Sequence, residues 1–258
     1  WLLNNYFVSR KDEKELIEFC REHEEVFAKN WPLFFMYQGA LNVLGLNDER
    51  KDQLKRHADE LSNVYEYWNE LLNLSASEEN QKAFIEACCD GKMISLFHNS
   101  EYLIIERLIN FHEYDLAELY LKKHEKTGER GFRIKKCKAI ILQGKKNDVE
   151  ALKWYRAAFE DDSSDAFVID SLITLSLLNK RKVSKEVLDA AIKKGTSRLH
   201  MLAAACYLNE GDLSKAKSEN IRAILMSGEG YNPAFGQYIA ISTSSQSNEV
   251  TKISGIEA

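Results

Sequence analysis

Apolar residues recur along this chain at steps of three and four almost from end to end. Within residues 48–74, Leu54, Ala58, Leu61, Tyr65, Trp68 and Leu72 form one continuous apolar stripe, which predicts a single long helix. Upstream, residues 9–29 open with Ser9 and Asp12, spaced as in a capping box, and predict another helix. Residues 31–45 are apolar nearly all round, as in a buried helix. Pro32 suits its first turn, and Gly45 or Asn47 its end. No strand pattern precedes the weakly alternating residues 248–255. With two prolines and 12 glycines in 258 residues, breakers are few, so long helices joined by short turns are expected.

Three stretches repeat one helix with variations: EYDLAELYLKKH (113–124), NDVEALKWYRAAF (147–159) and GDLSKAKSENIRAIL (211–225). Aligned on Ala117, Ala151 and Ala216, they stand 34 and 65 residues apart, so a further copy is expected near Ser184. KRKVSKEVLDAAIKKG (180–195) lies there. Four residues after each anchor come Leu121, Tyr155, Leu188 and Asn220, and seven after come His124, Ala158, Ala191 and Ala223. Twelve before come Ile105, Ala139, Leu172 and Ala204. Each period thus reads as a helix, a short turn and a second helix, with small or apolar residues where the two cross.

A helical hairpin repeating every 34 residues or so carries the signature of a solenoid. Residues 99–228 accordingly resemble the tetratricopeptide repeat family, most clearly in KCKAIILQGKKNDVEALKWYRAAFEDDSS and LHMLAAACYLNEGDLSKAKSENIRAILMSG. These copies keep the family's small residues (Ala139, Ala151, Ala158; Ala204, Ala216, Ala223) and an aromatic partner (Tyr155, Tyr207). They lack its early Trp or Leu and its closing proline, where Ser163 and Gly228 stand instead. The resemblance implies an all-α, right-handed α-α superhelix of stacked hairpins. About four hairpins would fill residues 99–228, after an N-terminal helical region at 1–98 of caps or diverged repeats. Residues 229–258 would hold a capping helix and a polar tail.

In that family the first helix of each hairpin lines a concave wall that binds extended peptides. Carried over by alignment, the wall comprises Asn99, Tyr102, Glu106, Arg133, Lys136, Ile140, Gln143, Ile169, Ile173, Arg198 and Met201. The lysine–asparagine clamp of chaperone-tail binders is not expected. Lys136 matches it, but Ile140 replaces its asparagine, and Ala166 and Met201 stand where cations would help.

Composition narrows the chemistry. The five cysteines lie in apolar helical patterns without a C-x-x-C pair, as buried free thiols in a reducing, cytoplasmic setting would. Adjacent Cys88 and Cys89 point about 100° apart on a helix, which disfavours a bond between them. His112 and His124 lie too far apart for a zinc-protease helix, and no phosphate-binding glycine loop or nucleophile motif occurs. No enzyme activity, metal or cofactor is therefore expected. No apolar run is long enough to span a bilayer, and the first residues do not read as a signal peptide. The Trp1 start suggests a piece of something larger.

Charge is uneven: residues 1–100 carry a net −7 and residues 122–156 a net +8, in a chain of −5. The basic block points to an acidic partner. The expected function is a non-catalytic scaffold that captures an acidic, partly apolar protein or peptide segment on its concave face. A regulatory arm of a larger enzyme is the alternative. Nucleic-acid binding through residues 122–156 fits less well with the acidic overall balance.

Overall fold

The computed structural model describes residues 13–91, 93–94, 101–125, 131–227, 233–234, 236–238 and 240–242. Fifteen α-helices account for most of them: α1 (Glu13–Glu22), α2 (Glu24–Ala28), α3 (Trp31–Val43), α4 (Asn47–Arg56), α5 (Ala58–Leu61), α6 (Tyr65–Leu74), α7 (Glu78–Cys89), α8 (Glu101–Asn110), α9 (Tyr114–Glu125), α10 (Phe132–Gly144), α11 (Asp148–Asp161), α12 (Ala166–Leu178), α13 (Lys185–Lys194), α14 (Ser197–Asn209) and α15 (Leu213–Met226). Among the described residues no strand forms, and the only extended pairing is an isolated bridge between Val64 and Ile94. The chain divides into two compact units, residues 1–124 and 125–258. The first of the expected hairpins, α8 and α9, therefore groups with the N-terminal unit.

In the first unit the long helix expected over 48–74 is broken twice. It becomes α4, α5 and α6, although Leu54, Leu61, Tyr65, Trp68 and Leu72 are all buried as the stripe requires. Val64 turns extended, and the backbone exchanges hydrogen bonds with Ile94: Tyr65 N donates to Ile94 O at 2.8 Å, and Ile94 N to Asn63 O at 2.8 Å. The Trp68 indole N–H then takes the Ser62 carbonyl at 2.7 Å, so that carbonyl has a partner outside the helical ladder. The helix expected over 9–29 is likewise split, at His23, into α1 and α2; Ser9 and Asp12 lie outside the described residues. The buried helix over 31–45 forms as α3, with Pro32 in its first turn and Gly45 at φ +70° just beyond its end.

Between α3 and α4 the Tyr37 hydroxyl donates to Glu49 at 2.8 Å, while Arg21 from α1 donates to both Glu49 oxygens at 2.9 and 2.6 Å. The Arg21 hydrogen bonds, helped by that from Tyr37, hold the Glu49 carboxyl below its usual range.

In the second unit the repeat register is the buried register. Ala139, Ala151, Tyr155, Ala158, Ala191, Ala204, Ala216, Asn220 and Ala223 are closed to solvent, and Leu172 and Leu188 nearly so. The hairpin turns share one backbone device. His112, Lys146, Lys180 and Gly211 all take positive φ (62°, 59°, 52° and 79°), one per hairpin. Each lies in a Schellman closure, as where Asn147 N donates to Leu142 O and Asp212 N to Tyr207 O, both at 2.9 Å.

The third hairpin departs from the pattern. α9, α11 and α15 begin two residues after the positive-φ position, but α13 begins five after it, at Lys185. Ser184 is thus the N-cap of α13, and Leu188 takes the place along the helix that Ala151 and Ala216 hold in theirs. The expected capping segment is helical at its described residues within 233–242. Ala234 and Ile241 are buried, and the Gln237 amide joins Asn220 Nδ2 (2.6 Å) to the Met201 carbonyl (3.2 Å). Residues 243–258 lie outside the described set.

Three outcomes follow. A left-handed conformation costs a side-chain-bearing residue roughly 1–2 kcal/mol, so Lys146→Gly raises stability by about 1 kcal/mol in urea unfolding, net of glycine's extra chain entropy. Gly211→Ala lowers it by about as much, through backbone strain alone, because an added Cβ meets nothing within 4 Å. A carboxylate whose folded pKa is depressed adds stability that is present above the unfolded value of about 4.3 and lost as pH falls through the folded one. The first unit therefore weakens in acid below about pH 4, and Glu49→Gln makes that loss shallower in pH-dependent thermal unfolding.

Candidate functional site

The first helices of the second unit, α10, α12 and α14, start after N-caps Gly131, Asp165 and Thr196. Counted from each start, positions 2, 5, 9 and 12 are exposed or half-buried in all three: Arg133, Lys136, Ile140 and Gln143; Phe167, Asp170, Thr174 and Leu177; Arg198, Met201, Ala205 and Leu208. Consecutive helices meet along this face in a regular way, position 5 of one against position 2 of the next. Lys136 Nζ sits 5.0 Å from the centre of the Phe167 ring, and Arg198 donates to Asp170 Oδ1 at 3.0 Å. Arg133, Lys136, Phe167, Asp170, Arg198 and Met201 therefore belong to one row.

Six residues expected from the sequence lie on that face: Arg133, Lys136, Ile140, Gln143, Arg198 and Met201. Ile169 and Ile173 do not. Both are completely buried in the hydrophobic core with Tyr155, Leu172 and Leu188, so they offer a partner no surface. They occupy positions 4 and 8 of α12, and the same core includes Leu199, Ala203 and Cys206 of α14. The residues the fixed alignment missed are Phe167, 47% exposed, and Asp170. Counting from Asp165 as N-cap, rather than from a distant anchor, would have found them. Tyr102 is half-buried and Glu106 exposed on α8 in the first unit; Asn99 lies outside the described residues.

The electrostatics differ from those expected of a basic wall. Lys136 pairs with Asp165 at 2.9 Å, Lys135 with Asp161 at 2.7 Å, and Arg198 with Asp170. Lys122 and Lys153 pair with Glu118 and Glu150 on their own helices. Lys138 lies 4.2 Å from the centre of the Trp154 ring. Much of the positive block is thus matched within the fold. Gln143 is engaged as well, accepting from the Tyr155 hydroxyl at 2.7 Å. What the row can do is offer apolar contact at Phe167, Ile140 and Met201, flanked by charged groups whose pairs are open to solvent.

Elsewhere, buried His200 and Glu219 join α14 to α15 at 2.7 Å, with Arg222 donating to the other Glu219 oxygen at 2.9 Å. All five cysteines are free; Cys20, Cys88, Cys137 and Cys206 are buried and Cys89 is exposed. Burial pushes the Cys20, Cys88 and Cys206 thiols up to about 12. Among the described residues no group of three or more His, Cys, Asp or Glu side chains could hold a metal ion. Nor is any helix of these residues long and apolar enough to cross a membrane.

No protein-family model matches the chain, and no curated protein does. Solved structures do match it in shape. A tetratricopeptide repeat protein from Parabacteroides merdae aligns over 93% of this chain and 96% of its own, with 15% identity and a TM-score of 0.54. The APC/C hetero-tetramer Cut9–Hcn1 aligns over 90% of this chain and 46% of that one, with 12% identity and a TM-score of 0.54. The protein is all-α, with the fold of a tetratricopeptide-type helical repeat.

The reassignment within α12 has a direct consequence. Ile173→Ala removes fully buried methyl groups and lowers unfolding stability by roughly 2–5 kcal/mol. Phe167→Ala, at an exposed site, costs less than about 1.5 kcal/mol. Urea midpoints of the two variants check the order; equal losses would return Ile173 to the surface.

Proposed function

We propose that this chain is an interaction scaffold without catalytic chemistry of its own, and that an extended protein segment lies along the first-helix row of the second unit. The observation that carries this reading is the row itself: Phe167 stands 47% exposed amid charged residues on a face that the first helices of three successive hairpins present in the same register. A large aromatic at such a position gives a partner contact area at little cost in ordering. One solved structure of similar fold, Cut9–Hcn1, is a hetero-tetramer of two proteins, which is in keeping with a scaffold role.

The partner proposed is a segment with an apolar side chain for the Phe167–Ile140 surface and an acid for Arg133 or Arg198. Its acidic preference is moderate, because Lys136 and Arg198 already have carboxylates of their own. Exposed ion pairs are worth about 0–1 kcal/mol, so a partner's acid can replace Asp170 at Arg198 with little net change.

A partner recovered with the full chain as bait, then titrated by calorimetry, tests the reading. Phe167→Ala, and separately Arg133→Glu with Lys136→Glu, are expected to weaken binding by about tenfold or more. Lys122→Glu with Lys123→Glu, exposed on α9, leaves it within about twofold. Equal losses from all three would place the partner outside the row.

A further inference from the structure

The late start of α13 lengthens the turn that joins it to α12, and a space opens beside that turn. Between the turn 179–184 and the C-terminal end of α14 lies an open cavity of about 600 Å³, within the size range of ligand pockets. Its lining is divided by chemistry. Val183 and Cys206, both nearly buried, and half-buried Leu177 form an apolar floor, and Lys180, Arg181 and Lys182 form an exposed rim. Asn209 and Glu210 close the far side.

These cations differ from those of the first-helix row. In that row Lys136 and Arg198 each hold a carboxylate. Lys180 and Arg181 have no such partner among the described residues. Lys182 reaches Glu210 at 3.4 Å while remaining 82% exposed, a pair that competes weakly with an incoming anion. The backbone beneath the rim is fixed. Lys180 is fixed in the left-handed region at φ 52°, and Arg181 N donates to Ser176 O at 2.8 Å, so the turn is pinned to the end of α12. Three exposed cationic side chains therefore rise from a fixed backbone beside an apolar floor.

We infer that this cavity is a second docking site, separate from the first-helix row, for an acidic peptide segment that carries one apolar side chain. The apolar side chain enters toward Val183 and Cys206, and flanking carboxylates meet Arg181 and Lys180. Charge complementarity selects such a segment over a purely apolar one, which would leave the cations unmatched. The depth of the floor selects it over a featureless polyanion, which would leave Leu177 and Val183 uncovered.

The test uses the full chain and a fluorescein-labelled pentapeptide of one leucine between two pairs of aspartates, followed by anisotropy. Binding is expected to weaken at least tenfold in Arg181→Glu with Lys182→Glu. It should change less than twofold in Lys193→Glu with Lys194→Glu, an exposed pair outside the cavity. Replacing the peptide's leucine by glycine should weaken it about fivefold. Amide shifts on peptide addition, read on the parent chain, should centre on residues 177–183 and 206–210, independent of any variant's folding. The inference is overturned if the parent chain does not bind the peptide, or if both charge-reversed pairs lose affinity equally. It also fails if the glycine peptide binds as well, or if a ten-nucleotide RNA displaces the peptide from the turn. Loss of binding in Arg133→Glu with Lys136→Glu, with the turn variant unaffected, would assign the peptide to the first-helix row instead.

Discussion

The close approach of two helices across buried alanines is the constraint on which the second unit depends. In the α10–α11 and α14–α15 hairpins, Ala139, Ala151 and Ala158, and Ala204, Ala216 and Ala223, have no exposed surface at all. Side chains this small let the paired backbones run together over most of their length, and a short turn with one left-handed residue suffices to join them. Where larger residues replace alanines at the crossing, Ile173 at position 8 of α12 and Leu188 at position 4 of α13, the two helices touch over a much shorter stretch. That hairpin also has the longer turn and the shorter second helix. Interiors are packed too densely to absorb several extra methylenes without moving backbone, so larger crossing residues and a longer connection belong together.

The same spacing organises the exposed face. Because successive first helices sit in register, position 5 of one reaches position 2 of the next, and the contact takes whatever chemistry those two positions hold. Between α10 and α12 it is an ammonium over a ring; between α12 and α14 it is a guanidinium on a carboxylate. Few of these contacts add much stability, since they are open to water. Their effect is to hold long side chains in one arrangement, which lowers the entropy a partner must remove on binding.

How much of this was legible in the sequence depends on the range of the signal. The register of the repeat was visible because small residues recur with the helical period, and those positions are the buried ones. The breaks at His57 and Ser62–Val64 were not, because an apolar stripe reports which side chains are buried and not whether the backbone between them stays helical. The strand-like contact of Val64 with Ile94 is a tertiary event thirty residues away in sequence. Ile169 and Ile173 were misplaced for another reason. α12 is apolar nearly all round, so its pattern could not distinguish core from surface, and Phe167 went unnoticed among its neighbours. Net charge misled too: a block of lysines reads as basic until the acids folded against it, Asp161 and Asp165, are counted with it.

That last point separates the two surfaces of the second unit on physical grounds. A cation already held by an internal carboxylate contributes to recognition only by exchanging partners, so its preference for an acid is the small difference between two similar pairs. An exposed cation with no carboxylate partner among the described residues, such as Lys180 or Arg181, gains a pair rather than exchanging one, and that gain is about 0–1 kcal/mol. On the proposed reading, the first-helix row selects by shape and aromatic contact, and by charge only secondarily. The turn at 179–184, as proposed, selects by charge first. The two proposed sites thus differ in the kind of selectivity they supply. The difference arises from three additional residues in a single turn, which is why it is invisible to the repeat pattern that organises everything around it.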